Sequence, residues 1–255
     1  MLTEKNTIKI LSTTIAPISI KDIITLIIER IKISQKGYIT VTGVHGIIES
    51  YRSPRVRYAH QKSLLTVPDG MPLVYIGKLA GFKSIKRCYG PDLMAAMIEA
   101  TADGSISHFF YGGKKGVADS LKEVFESKFP GIKIMGTYTP PFRSLNKEEE
   151  NELNEILKKL KPDIMWVGLS TPKQELFMYE YIDKLPVKIM VGVGAAFDIH
   201  TGSISSAPRI MQVLALEWLY RLVQEPKRLW RRYLINNPLF IYYFLLQILR
   251  VKRYD

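Results

Sequence analysis

The stretch D-I-M-W-V-G-L-S-T-P-K-Q-E, residues 163–175, decides the fold. It opens on an unbroken apolar run that ends at a glycine, which reads as a buried strand. Thr171 is a natural N-cap and Pro172 a natural first helical residue, so a helix is expected to follow at once. A strand that hands over to a helix in this way leaves free N–H groups at the strand's carboxyl end, where doubly wound sheets bind ligands.

The same alternation runs through most of the chain. Residues 8–11, 38–42, 64–67, 108–111, 133–136, 164–167 and 188–193 read as strands. Residues 19–33, 71–79, 91–101, 116–129, 147–160 and 172–185 read as amphipathic helices. Strands alternating with helices predict an α/β fold: a Rossmann-like, mainly parallel sheet with helices on both faces. Glycine follows or ends several strands, at Gly43, Gly112, Gly113, Gly168, Gly192 and Gly194, where backbone can approach phosphate. There is no internal repeat and no long linker.

The C-terminal end has a different character. From residue 217 it reads E-W-L-Y-R-L-V-Q-E-P-K-R-L-W-R-R-Y-L-I-N-N-P-L-F-I-Y-Y-F-L-L-Q-I-L-R. Pro226 and Pro238 predict a division into three helices, because proline is tolerated in a helix's first turn and not in its interior. At 100° per residue, Leu229, Trp230, Tyr233 and Leu234 fall on one side of the middle helix and Arg228, Arg231 and Arg232 on the other. The apolar residues 239–249, flanked by Arg250, Lys252 and Arg253, read as a surface for anionic lipid. Arginine clusters also hold diphosphate through a rigid bidentate fork. The expected organisation is an α/β catalytic core over 1–208 and a helical, membrane-binding C-terminal appendage over 209–255.

Bulk properties agree. The chain has 255 residues, 47% of them hydrophobic, and a formal net charge of +12. Residues 201–255 hold nine Lys and Arg against three acids, half of the surplus in about a fifth of the chain. Such a balance points to nucleic acid, membrane or a phosphorylated substrate. No RNA- or DNA-binding motif appears, which places nucleic acid last. One cysteine, Cys88, excludes an internal disulfide and suits a reducing cytoplasm. With four scattered histidines it also argues against a Cys/His zinc site. No signal peptide is evident, and the late apolar run is too short to cross a bilayer. The chain is expected in the cytoplasm, peripheral on the inner face of the cell membrane.

Several short motifs carry candidate chemistry. T-V-P-D-G-M-P (66–72) sets Asp69 between a strand and a helix, as a general base or as a helix cap. Gln174, in the first turn after Thr171, either binds sugar or phosphate or bonds to its own loop. V-G-V-G-A-A-F-D (191–198) approaches a dinucleotide fingerprint, but Phe197 replaces its third glycine. Asp198 either accepts hydrogen bonds from a nucleobase or ribose or caps a loop. His45 follows a strand and either touches ligand or is structural. The chain has no D-x-D, the pair with which many sugar-nucleotide enzymes hold a metal on diphosphate. Arginines and helix N-termini are expected to neutralise that charge instead.

Taken jointly, T-G-V-H-G (42–46), P-D-G-M-P (68–72), Y-G-P-D-L (89–93), F-Y-G-G (110–113), P-P-F-R (140–143), W-V-G-L-S-T-P-K-Q-E (166–175), V-G-V-G-A-A-F-D (191–198), A-P-R (207–209) and the block 217–233 resemble the WecG/TagA/CpsF family of bacterial glycosyltransferases. The resemblance implies transfer of a sugar, N-acetylmannosamine or a related hexose, from a UDP-sugar to a polyprenyl-diphosphate-linked sugar. It implies inversion, no metal and no cofactor, in the assembly of cell-wall teichoic acid linkage units, enterobacterial antigen or exopolysaccharide. Carried over, Asp69 is the base. Thr42, His45 and Gln174 are substrate contacts, Asp198 is a nucleotide contact, and Arg221, Arg228 and Arg231 grip the diphosphate. Some relatives carry Asn where this chain has Gly43, which leaves the donor sugar open. Two readings from other classes stand beside this one. A peripheral adaptor that only binds anionic lipid would make Asp69 and Gln174 replaceable. A nicotinamide-dependent oxidoreductase would need the glycine that Phe197 displaces.

Overall fold

The structure, a computed structural model, describes residues 7–254. The chain forms two compact units that interleave in sequence. The first comprises 1–19, 41–89 and 204–255, and the second 20–40 and 90–203. Residues 209–255 therefore group with 41–89.

The second unit is built on parallel strands. These are β3 (Gly37–Thr42, its first four residues in this unit), β5 (Ser107–Gly112), β6 (Lys133–Tyr138), β7 (Ile164–Gly168) and β8 (Ile189–Gly192). The pairs β3–β8, β8–β7, β7–β5 and β5–β6 are all parallel. Strand alternation sends neighbouring residues to opposite faces. Phe109 and Tyr111 pack with Leu153 and Leu157 of α7 (Lys147–Leu160) and Phe177 and Met178 of α8 (Lys173–Tyr181). Phe110, between them, meets Phe125 of α6 (Val117–Lys128) and Phe197 of α9 (Ala196–His200). Helices α1 (Ile20–Lys32) and α5 (Gly90–Ala100) complete the unit. The expected α/β architecture with helices on both faces is present.

Gly112 is one place where only glycine fits. Its φ is +126°, and a Cβ there would meet the Gly168 carbonyl oxygen at 2.6 Å. The close approach lets β5 and β7 end together.

The first unit carries β4 (Leu65–Pro68) beside the last residues of β3, completing the order β4-β3-β8-β7-β5-β6. The expected strand at 8–11 does not join that sheet. It is β1 (Ile8–Ile10), paired antiparallel with β2 (Thr13–Ile15) in a sheet of its own. The two-residue turn that joins them puts Leu11 at φ +49°, and a turn that short cannot make a parallel crossover. Helices α2 (Val44–Arg52), α3 (Pro54–Lys62), α4 (Met71–Leu79) and α10 (Arg209–Val213) belong to this unit. Its core joins Ile8, Ile10, Ile47, Leu73, Val74 and Phe240.

The C-terminal segment forms α11 (Glu217–Gln224), α12 (Pro226–Trp230), a π-helical turn (Arg231–Ile235) and α13 (Asn236–Ile248). Pro226 opens α12, as expected. Pro238 is the third residue of α13 and so lies in that helix's first turn, as expected. Its missing N–H falls just after the π-helical turn has widened the bonding pattern, so the helical path continues through it. Among the described residues no helix is long and apolar enough to cross a membrane.

Candidate active site

A cavity of about 360 Å³ lies within the first unit. Gly43, His45, Asp69, Gly70, Arg87, Tyr89, Glu217, Arg221, Arg232, Tyr233 and Asn237 contribute to its wall.

Asp69 follows β4 directly. Its N–H donates to the Thr42 carbonyl at 2.8 Å, prolonging the pairing of β4 with β3 by one residue. Its own carbonyl accepts from Arg87 Nε at 2.5 Å, and Cys88 N–H donates to the Pro68 carbonyl at 2.8 Å. The backbone is held from both sides, so the side chain projects from a fixed base. Asp69 caps no helix: Gly70 stands at the N-cap of α4, and no side chain bonds there. The Asp69 carboxylate instead faces Arg87, with Oδ1 3.8 Å from Nη2 and no hydrogen-bond partner of its own. Burial raises its pKa above the ordinary carboxylate value. Arg87 opposes that shift, and Glu217 adds to it. A carboxylate held this way is suited to take a proton.

Three guanidinium groups share the cavity wall. Arg87 donates to Glu217 at 2.5 Å and lies 4.1 Å over the Tyr89 ring. Arg221 Nη2 lies 3.4 Å from Glu225 Oε2, while its Nε is buried without a hydrogen-bond partner. Arg232 Nε is likewise buried without one. Burial lowers the Arg232 pKa; Tyr233 and Asp69 oppose this, and the neighbouring Arg221 and Arg228 reinforce it. Unsatisfied buried donors carrying like charge favour an anion with several oxygens.

The structure distributes the expected residues unevenly. Asp69, His45 and Arg221 line the cavity. Thr42 sits at the end of β3, fully buried, with its hydroxyl unpartnered. Arg228 and Arg231 are exposed and are not part of the wall. Arg228 pairs with Glu225, and Arg231 lies over the Trp230 ring. Arg232 takes the inner place. The helical wheel sorted this helix by hydropathy, whereas the inward face is centred on Leu229 and Asn236, both buried. Arg232 and Tyr233, three and four residues beyond Leu229, turn in with them. Trp230 and Leu234 turn out, at 45% and 55% exposure.

Gln174 and Asp198 belong to the second unit. The helix begins at Lys173, one residue later than expected, and the Thr171 hydroxyl is spent on Glu175 Oε1 at 2.9 Å. Gln174 is buried. Its Oε1 accepts from Gly194 N–H at 3.0 Å, and its Nε2 donates to Glu175 at 3.1 Å. Asp198 sits in the short helix α9. Sequence reasoning passed over Arg87, Glu217 and the inward turn of Arg232. Arg87 stands two residues before a quoted block and Glu217 opens another, but neither lies in a spacing that signals chemistry.

A sequence model of the glycosyl transferase WecG/TagA/CpsF family matches residues 8–254. The chain is similar to the N-acetylglucosaminyldiphosphoundecaprenol N-acetyl-beta-D-mannosaminyltransferase of Bacillus spizizenii. They are 32% identical over 200 residues, 78% of this chain and 76% of the relative. A protein of the same description from Bacillus subtilis is 30% identical over 168 residues, 66% of this chain and 63% of that relative. The chain belongs to the WecG/TagA/CpsF family of glycosyl transferases. That membership makes it an enzyme and sets aside the adaptor and oxidoreductase readings.

Proposed function

We propose that this family member transfers a sugar of the N-acetylmannosamine class from a UDP-sugar to an N-acetylglucosamine carried on polyprenyl diphosphate, with inversion and without a metal. The observation that carries the reading is one cavity in which Asp69 faces three arginines, two of them with unsatisfied buried donors. The names of the two bacillary relatives support the sugars and the lipid diphosphate.

Asp69 takes the proton of the acceptor hydroxyl. The oxygen so freed attacks the anomeric carbon opposite the UDP, a new C–O bond forms, and the bond to the diphosphate breaks. UDP leaves with the electron pair. Arg87, Arg221 and Arg232 neutralise the charge that grows on it, the part a metal plays elsewhere. Gln174 and Asp198 are assigned to substrate and nucleotide on their motif positions. The exposed apolar face of α13 and its basic flank rest on an anionic membrane surface on the cytoplasmic side, where a polyprenyl acceptor is anchored.

A screen of UDP-sugars for chain-dependent UDP release, with an N-acetylglucosaminyl diphosphate lipid analogue as acceptor, tests the reading. Turnover is expected with UDP-N-acetylmannosamine and is expected to survive EDTA. Release with no donor would sink the proposal. Loss on chelation that magnesium restores would sink its metal-free part.

A further inference from the structure

His45 and Asn236 are 191 residues apart and 2.7 Å from each other, His45 Nδ1 to Asn236 Nδ2. Asn236 is fully buried, and its side-chain oxygen accepts from Arg52 Nη1 at 3.0 Å. A guanidinium only donates, so the atom facing Arg52 must be the amide oxygen. The amide nitrogen must then face His45. That nitrogen also only donates, so His45 Nδ1 accepts and carries no proton. The one ring proton sits on Nε2. Glu49 Oε1, 3.7 Å from the same Nδ1, would favour a proton there. The shorter contact from Asn236 decides against it.

His45 lines the cavity from the first turn of α2. Asn236 begins α13, directly after the π-helical turn that carries Arg232 inward. We infer that Asn236 is a positioning residue that holds the His45 ring with its proton on Nε2, so that the ring offers an N–H donor to an oxygen of the bound sugar or its diphosphate. The inference rests on the reading of the cavity as the transfer site. In this arrangement the chain Arg52–Asn236–His45 fixes both the amide and the ring. It also ties the start of α13 to α2 beside the cavity. Which nitrogen bears the proton is often set by the partner of the other one, and here that partner comes from the C-terminal segment.

The first test reads the tautomer directly in the wild-type chain. The ¹⁵N spectrum of the His45 ring, assigned by its loss in His45→Gln, should report a proton on Nε2. A proton on Nδ1 would overturn the inference. The second test is kinetic. The His45→Gln amide puts an N–H near the place of Nε2–H and needs no partner to fix a tautomer. Asn236→Ala should lower kcat/KM roughly 3–10-fold in the wild-type background, the size expected for one misplaced hydrogen-bond donor. It should cost little in the His45→Gln background. An equal loss in both backgrounds would reduce Asn236 to a packing residue. A wild-type chain that transfers no sugar from any donor would sink the reading of the cavity, while the ring spectrum would still decide the tautomer.

Discussion

Arg87 Nη2 lies 2.5 Å from Glu217 Oε2 and only 3.8 Å from Asp69 Oδ1. The guanidinium is thus committed first to Glu217, and Asp69 receives a weaker share. Burial alone would lower the Arg87 pKa, but the two carboxylates more than reverse it. Glu217, at the start of α11, in this way keeps the strongest neighbouring cation from fully stabilising the Asp69 carboxylate.

Glu217→Gln should therefore move the acid limb of the kcat/KM profile to lower pH. The sign follows from the role: a base works deprotonated, and activity falls as pH drops through its pKa. Removing Glu217's negative charge takes away a repulsion that raises that pKa and frees Arg87 to pair with Asp69. Arg87→Gln should move the limb the other way. Shifts in the same direction for both variants would show that the limb belongs to another group.

Asp69→Asn should reduce transfer by ~10²–10⁴-fold, the usual cost of losing a general base. The fold should be no less stable at neutral pH. Because folding raises the Asp69 pKa, keeping that side chain ionised at pH values above the pKa costs the native state stability. Asparagine keeps the shape without the charge. Urea titrations at pH 7 check the second half. A variant that loses both activity and stability would mark Asp69 as structural.

Much of this was legible in the sequence, for identifiable reasons. The strands of the second unit are apolar runs such as 164–167, too short for a buried helix and closed by a glycine at 168. The exposed helices carry strong end signals, as in α7, where Asn146 and Glu149 form a full capping box. The placement of residues 8–15 was not legible, because three-residue strands give no periodicity and their antiparallel pairing depends on a turn at Leu11. Nor was Arg87, because a buried arginine is recognised by its partners, and Glu217 is 130 residues away. Arg232 was assigned to the wrong face because hydropathy alone expects charge to turn outward. A cavity that gathers charge inverts that rule.

Arg221→Ala and Arg232→Ala should each lower kcat/KM by at least tenfold on a soluble acceptor, about the worth of one charge-assisted hydrogen bond. Arg228→Ala and Arg231→Ala should change it less than threefold, since these exposed side chains pair or stack outside the cavity, and exposed ion pairs contribute ~0–1 kcal/mol. The reverse ranking would show that the segment turns over when substrate binds.

Acid should destabilise the chain well above the ordinary carboxylate range. Burial lowers His60 and His108 from 6.5 to about 4. The His108 ring is fixed neutral: Trp166 Nε1 donates to its Nδ1 at 3.1 Å, and its Nε2 lies 2.9 Å from the Thr101 hydroxyl. A histidine whose folded pKa is depressed stays unprotonated in the native state while the unfolded chain takes up protons. Stability is therefore full above pH 6.5 and lost as pH falls from there toward 4, by roughly 3 kcal/mol per histidine. Urea midpoints from pH 7 to 4 should fall over that window. A flat response down to pH 4.5 would contradict it.

The last prediction concerns α13, which is apolar on two sides. Phe240 is buried in the first unit's core, while Leu245, Ile248 and Leu249, at and just past the end of α13, are 50%, 58% and 69% exposed. Tyr242 and Val251 extend the exposed face, and Arg250 and Arg253 flank it. A helix segment that is apolar all round is stable only when its second side also leaves water. None of the three exposed aliphatic residues lines the cavity. Leu245→Ser, Ile248→Ser and Leu249→Ser together should therefore weaken binding to vesicles rich in anionic lipid and spare turnover of a soluble acceptor. Withdrawing half of an aliphatic side chain from water is worth roughly 1 kcal/mol, so the triple variant should lose on the order of 10²-fold in partitioning. Arg250→Gln with Arg253→Gln should weaken binding to anionic vesicles and leave neutral vesicles unaffected, because each basic residue near an anionic leaflet contributes ~1 kcal/mol and nothing near an uncharged one. Sedimentation with vesicles of each composition separates the two contributions. Unchanged binding of the triple serine variant would place the membrane contact elsewhere on the chain.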